Sequence, residues 1–430
     1  MKAHHFHPLL LASLALPALA DVRTVGPPGS GADFQQIQPA IGASQPGDVV
    51  LVAAGLYSDF VLNKPILVQG AGPDETIVVA STIFDSIPSA AVIEIEAGEA
   101  ASIAGMTIAK AEASAFNASP GAQVEDCAGT VVLHDIDFDS VQGREALLVV
   151  GTTAAVVSAS YAVGGGIDAG FAGVTDPVFC MSASDSRFLV VDSLVESPPD
   201  LFLFTLPSFN ETAGFQRSDV LFAGSTVVGA NMDSPFLIEG GDAVWSFDSN
   251  IEIAGSLLRG GQGQASTSFV PGGYGLRLAG LSAGLAYADG VVQGGLDGDG
   301  LVEQDPLLIE PGSSFVQSAS FLPTIRATVR RSAPGETIEL VLSGAPSSGG
   351  QLFASIAPGA ALEVPGLAGE VFVDLGGLVD LGPVTLDAAG QATVALPATP
   401  ALAEPTLATF QWLEAGAGAV SAPAYVSLLP

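Results

Sequence analysis

The feature that most constrains this chain is a short apolar burst that keeps returning around a small or acidic corner. It occurs as IAGMTIA around Gly105, LHDIDF around Asp135, SASYAV around Ser160, ASDSRFLV around Ser186, LFAGSTVV around Ser225, IAGSLLRG around Ser256 and YADGVVQG around Gly290. Each burst is too short to stand as a helix in water, and its β-branched content between turn residues favours a strand. The repeat is imperfect, at about 30 residues, which is short for a propeller blade and suits one turn of a parallel coil with several strands. One interval, from Ser186 to Ser225, is longer than the rest and predicts an extra loop, with residues 197–212 as its candidate.

The first coil is signalled by GDVVLVAAGLYSDFVLNKPILVQGAG, residues 47–72. Before it, DFQQIQPAIGAS sets Phe34, Ile37 and Ile41 on one helical face, and Pro39 keeps that helix short. A short amphipathic helix ahead of the first strand suits a lid over the open end of a stack. With the GMTI-type rungs that follow and a closing Asp305-Pro306-Leu307, this region resembles the pectin-lyase-like right-handed parallel β-helix of secreted bacterial proteins, over residues 22–315. With only five Asn in the chain, the stacked asparagine turns common in that family are mostly missing.

From Phe321 the texture changes to well-spaced strands, ETIELVLS, QLFASIA, EVFVDL, PVTLDAAGQATVALP and LATFQWLE, separated by Gly, Pro and Ala turns. Such spacing reads as a small antiparallel β-sandwich. It is similar to the sandwich tails of large secreted proteins from environmental bacteria, which imply no particular chemistry. The expected fold class is therefore all-β, with a signal peptide (1–20), an N-terminal cap (21–48), a parallel β-helix (49–315), a linker (316–323) and a β-sandwich (324–430).

The leader carries Lys2, an apolar run over residues 9–16 and Ala18-Leu19-Ala20, the small-x-small pattern that precedes signal cleavage. It predicts an exported protein, secreted or held at the cell surface. In that compartment Cys127 and Cys180 read either as one disulfide or as two buried thiols, and a separation of two coils would exceed disulfide reach. The uncharged stretch over residues 146–167 is long enough to span a bilayer, but Thr152, Thr153, Ser158, Ser160 and three consecutive glycines mark strands and turns instead. Forty-five acidic against twelve basic residues give a net charge of −33, a field that repels nucleic acid and other polyanions. An acidic, solvated surface accounts for it, as would a polycation or divalent-metal partner.

In the family it resembles, lyases hold Ca²⁺ on outward carboxylates while an Arg or Lys removes a proton. Hydrolases there use a cluster of Asp with a nearby His and basic residues. The best local match is LHDIDFDS, where Asp135, Asp137 and Asp139 alternate with Ile136 and Phe138 and would share one strand face at spacings of ~7 Å. Arg144 is the nearest cation. The plain alternative is an outward polar face. Alternation points His134, the only histidine beyond the leader, inward unless the coil turns a corner there. The Gly-His-Gly and paired-Asp strings of family hydrolases and the Arg-x-Pro-x-x-Arg string of family lyases are absent. The solenoid offers few cations to grip a uronate: Lys64, Lys110, Arg144, Arg187, Arg217, Arg259 and Arg277.

A second constellation, GLDGDGLVEQDP, places Asp297, Asp299, Glu303 and Asp305 on a glycine-rich loop with the hard oxygens that calcium prefers. Leu301 stands where an EF-hand would need a third ligand. Asn117-Ala118-Ser119 and Asn210-Glu211-Thr212 match the N-glycosylation pattern, which in a bacterial protein arises by chance. No nucleotide loop, serine elbow or CxxC pair occurs. The expectation is an exported non-catalytic β-helix that meets an extracellular polysaccharide or a surface protein. The alternative is a calcium-dependent polysaccharide lyase or hydrolase built on Asp135, Asp137 and Asp139.

Overall fold

A computed structural model describes residues 20–80, 88–109, 119–140, 145–164, 179–197, 211–231, 239–263, 270–332, 335–365, 367–397, 406–416 and 418–428. The leader, Lys110, Arg144, both glycosylation-pattern asparagines and all but the edges of the expected loop at 197–212 lie outside them.

The apolar bursts stack. Strand after strand pairs in parallel with the strand one coil later, as when Val131, Val132 and Leu133 register with Ala155, Val156 and Val157, and these with Phe188, Leu189 and Val190. Each coil contributes to three parallel sheets. The first runs from Val22–Val25 and Val49–Val52 to Ser314–Gln317, and the second from Gly55–Ser58 to Val291–Gln293. The third, nine-stranded, runs from Phe60–Leu62 to Leu307–Ile309. First and second are fused because Ala100–Ala109 and Thr130–Asp139 run through both. This is a parallel β-solenoid, with Val22–Val25, inside the segment expected as a cap, already paired to Val49–Val52.

Two corners per coil make the stacking possible. At each, one residue adopts a left-handed φ, near 50° for Asp135, Ala159, Asp192, Asp185, Arg217 and Asp248, and near 60° for Gly105, Gly224 and Gly255. That costs non-glycine residues energy, so the surroundings must over-determine the turn. From Ala159 onward a buried serine hydroxyl next to the turn does this, whereas Gly105 and Asp135 are followed by Met106 and Ile136. Between the first and second sheets, the amides of Ile136, Ser160, Ser193 and Ser225 donate to the hydroxyls of Ser160, Ser193, Ser225 and Ser256 on the next rung, at 2.9–3.2 Å. Between the third and first sheets, the amides of Thr152, Ser186, Ser218 and Ser249 donate likewise to Ser186, Ser218, Ser249 and Ser282, at 3.0–3.2 Å. Most of these hydroxyls donate in turn to the carbonyl two residues back, Ser193 to Val191 at 2.8 Å and Ser218 to Gln216 at 2.9 Å. Two serine ladders thus take the place of the missing asparagine turns.

The ladders explain the uneven repeat. Ser186 belongs to the other corner. The true successor of Ser160 is Ser193, followed by Ser225 and Ser256 at separations of 33, 32 and 31 residues. Cys127 sits in the second ladder's column as a thiol where later coils have serine, and its Sγ donates to the Glu125 carbonyl at 3.3 Å. Cys127 and Cys180 are both buried and unbridged, which decides between the two readings in favour of thiols.

The helix Ile37–Ala43 lies against the first coils and adds Ile37, Ala40 and Ile41 to the solenoid core. Beyond the solenoid, antiparallel sheets of three, five and two strands follow. The two larger ones share a core of Ile338, Leu340, Leu342, Leu352, Phe410 and Trp412. These C-terminal sheets fold back on the first sheet: Phe372, Leu407 and Tyr425 bury the outward column Val132, Val156 and Leu189. Arg187 reaches Glu363 and Glu370, and Arg326 reaches Asp192 at 2.6 Å. One outer face of the coil is therefore partly sheltered.

Replacing Ser193 by Ala removes the acceptor of the buried Ser160 amide. Urea denaturation of the full chain should show a loss of about 1–3 kcal/mol, the cost of an orphaned buried donor.

Candidate functional site

The three predicted acids do not share one face. Asp135 occupies the left-handed corner position, so the alternation restarts after it, and only Asp137 and Asp139 continue along the outer face of the second sheet. The same restart turns His134 outward, onto the face covered by Tyr425, with ring centroids 6.2 Å apart. The expected inward orientation fails because the coil does turn at Asp135. Burial lowers the His134 pKa to about 4, so the imidazole is neutral.

The charges that act on Asp135 and Asp137 from the described residues are those of other carboxylates. Asp137 lies in register with Thr107 on one side and Tyr161 on the other. Burial, then Asp139 and Asp74, raise the Asp137 pKa; burial, then Asp74, raise that of Asp135. Among the described residues no Arg or Lys pairs with any of the three, and one buried oxygen each of Asp137 and Asp139 has no partner. A proton-abstracting cation or a charge-neutralising clamp, as a lyase needs, does not converge here from the described residues.

Asp297, Asp299, Glu303 and Asp305 do not gather either. Asp297 is buried and spends Oδ1 on the amides of Leu301 (2.7 Å) and Val302 (3.1 Å), closing its own turn. The other three are exposed, and among the described residues no group of three or more His, Cys, Asp or Glu is placed to hold a metal. The loop leaves a stack of close backbones. Gly261 donates to Gly241, Gly273 to Gly261 and Gly295 to Gly273, at 2.8–2.9 Å, and a Cβ at Gly295 would stand 1.8 Å from the Gly261 carbonyl.

Two arrangements escaped the sequence. On the third sheet, Arg277 is 2.9 Å from Glu310 and 4.0 Å from the buried Glu211. Asp242 stands beside them, accepting from the Tyr274 amide at 2.7 Å. Burial first, then the charge of Asp242, raises Glu211 to about 7; burial raises Asp242 to about 6. The rings of Phe179, Trp245 and Phe247 lie nearly parallel in a row on the same sheet, with centroids 5.9 and 6.2 Å apart. The only signal for this grouping is the coil period, which brings Trp245 and Arg277 into register.

The other is a cleft of about 580 Å³ between the first sheet and the C-terminal sheets. Where their cover ends, at Leu221, the outward column continues as Glu252, Leu285 and Val316, and beside it run Arg187, Asp219, Asn250, Ala283 and Ser314. Glu370, Phe372, Val420 and Ala422 form the opposite wall. Asn250 donates to Asp219 at 2.7 Å and Tyr287 to Glu252 at 3.0 Å, so the polar groups are held in place.

No protein-family model matches the chain, and no curated protein does. Among solved structures it is similar to pectate lyase Pel9A, with 14% identity over 71% of this chain and 78% of that one, TM-score 0.43. It is similar to a pectin methylesterase from Yersinia enterocolitica, with 10% identity over 66% of this chain and 95% of that one, TM-score 0.36. A third is full-length tailspike protein 2 from an Escherichia coli O157:H7 bacteriophage, with 12% identity over 96% of this chain and 64% of that one, TM-score 0.32. The architecture is consistent with the pectin-lyase-like β-helix that the sequence resembles. At such identities and scores nothing about activity transfers, and the coil-to-coil parallel register carries the fold.

The buried acids give a pH signature. Glu211 and Asp242 bind protons more tightly folded than unfolded, so their part of the stability is present at low pH and is lost as pH rises through about 4 to 7. His134 acts oppositely: it binds protons more tightly unfolded, so its part is lost as pH falls from about 6.5 towards 4. Glu211→Gln should therefore flatten the decline in Tm between pH 5 and about 7, measured by thermal denaturation across pH.

Proposed function

We propose that this is an exported β-helix protein, secreted or at the cell surface, that binds an extended neutral glycan without cleaving it. The observation that carries the reading is the cleft. Its polar column crosses five successive rungs, from Arg187 to Ser314, a run of about 19 Å at the usual strand spacing. Aliphatic side chains beside fixed carboxylate and amide groups suit the two-sided character of a sugar chain, with its C–H faces and its hydroxyls. Asp219, Glu252 and Glu370 line the cleft, and its one cation among the described residues, Arg187, is taken up by Glu363 and Glu370. That lining disfavours a uronate polymer.

The competing reading is a hydrolase, and one observation favours it. Glu211 and Asp242 are neighbouring carboxyls held near neutral pKa, the kind of pair that general acid–base chemistry uses. Calcium-dependent elimination at Asp135, Asp137 and Asp139 has less behind it, because no cation of the described residues faces them.

Soluble neutral polysaccharides (a β-glucan, a mannan and a dextran), offered with and without Ca²⁺, should include one retained by the full chain with no new reducing or unsaturated ends. Leu285→Arg, which fills the cleft with a charged side chain, should weaken that retention at least tenfold, about 1.4 kcal/mol. Product formation abolished by Glu211→Gln would overturn the binding reading in favour of the hydrolase.

A further inference from the structure

We infer that a second hollow at the junction, distinct from the cleft, holds one small, neutral, hydroxyl-rich ligand such as a single sugar unit. The hollow has a volume of about 380 Å³ and shares no lining residue with the cleft. It exists because the coil surface is bare there. Gly70, Gly72 and Gly105 line it without side chains, and Ala104 is the small residue in register between Gln69 and His134. The C-terminal sheets close it from above with residues 327–329 and with Tyr425, Val426 and Ser427. Its size lies within the range of small-molecule sites, about 300–1,000 Å³.

What selects the ligand is a set of polar groups left over on both sides of the junction. Oε1 of Gln69 and Nδ1 of His134 on the solenoid, and the hydroxyls of Tyr425 and Ser427 opposite, are buried and have no hydrogen-bond partner among the described residues. Gln69, His134 and Tyr425 are 2%, 5% and 1% exposed. Buried polar groups in folded proteins are nearly always partnered, so four orphans among the lining residues of one hollow point to a partner supplied from outside the chain. All four are uncharged, the imidazole included. They lack hydrogen bonds and not a counter-charge, which favours hydroxyls over phosphate, carboxylate or ammonium groups. The amide oxygen can only accept, as can Nδ1 of a neutral imidazole whose other nitrogen donates to the Ser158 backbone, whereas the two hydroxyls can give or take, matching the mixed character of a sugar hydroxyl. The Tyr425 ring offers an apolar surface for C–H groups. Asp135 on the wall, and Asp192 with its partner Arg326, leave no free positive charge among the described lining residues to draw an anion.

The test is calorimetric titration of the full chain with neutral monosaccharides (glucose, galactose, mannose and N-acetylglucosamine). At least one should bind saturably. Tyr425→Phe keeps the ring and removes the orphaned hydroxyl, so the variant should fold at least as well as the parent while binding that sugar about tenfold more weakly. Gln69→Leu should weaken it similarly, and Leu285→Arg in the cleft should leave it unchanged. No saturable binding by any of the four sugars overturns the inference, as does binding that survives both junction variants. Sugar binding lost only in Leu285→Arg would overturn it too, while leaving the glycan reading of the cleft intact.

Discussion

From Asp135 onward the corners of the solenoid depend on the hydrogen bond from a corner amide to the serine hydroxyl of the next rung. Strands in a parallel stack satisfy one another's backbones, but a corner breaks that pattern and leaves amides facing the interior. A serine set beside a left-handed residue can accept from the rung before it while donating to its own strand. The turn is thereby fixed without a charge and with little bulk. Because the ladders run through successive coils, each corner positions the next. The outward columns of the sheets inherit their straightness from them, including the column that becomes the wall of the cleft.

The C-terminal sheets use that straightness. An outward apolar column, Val132, Val156 and Leu189, would be a liability on an exposed sheet, and Phe372, Leu407 and Tyr425 cover it. The cover does not reach the last coils. Where it stops, the column changes character to Glu252 and then Leu285, and the two layers part to form the cleft. The sheltering of one stretch and the opening of the next are thus consequences of one column of side chains.

The strands and their parallel stacking were legible because apolar bursts and turn residues are local signals. Which corner a burst belonged to was not. The string of a turn residue followed by serine occurs at both corners, so Ser186 and Ser193 look alike in sequence although they lie on different edges of the coil. Asp135 misleads for a related reason: an aspartate in LHDIDF reads as one more alternating position, whereas its left-handed φ of 53° resets the pattern and moves His134 to the opposite side. The grouping of Glu211, Asp242, Arg277 and Glu310 could be found only by laying the coils in their true register. That register becomes visible once the ladder spacings of 31–33 residues replace the apparent repeat.

The charge imbalance takes its meaning from where the few cations are spent. Lys64 donates to the carbonyls of Ile41, Gly42 and Ser44 at the end of the helix, at 2.8–3.0 Å. Arg217 binds Asp185 on the preceding rung through two bonds of 2.7 and 2.6 Å, and Arg277 binds Glu310 on the following one. Arg187 and Arg326 join the C-terminal sheets to the solenoid. Each of these five side chains is committed to holding one part of the chain to another. Exposed pairs of this kind add little stability singly, but they fix rung against rung and layer against layer. With these five cations so engaged, and Arg259 exposed at the end of its strand without an ion pair among the described residues, the described surface presents mainly carboxylates, amides and hydroxyls to a ligand. On the proposed glycan-binding reading, an anionic polymer would meet repulsion along it, whereas a neutral chain of hydroxyls would exchange its bonds to water for bonds to these groups.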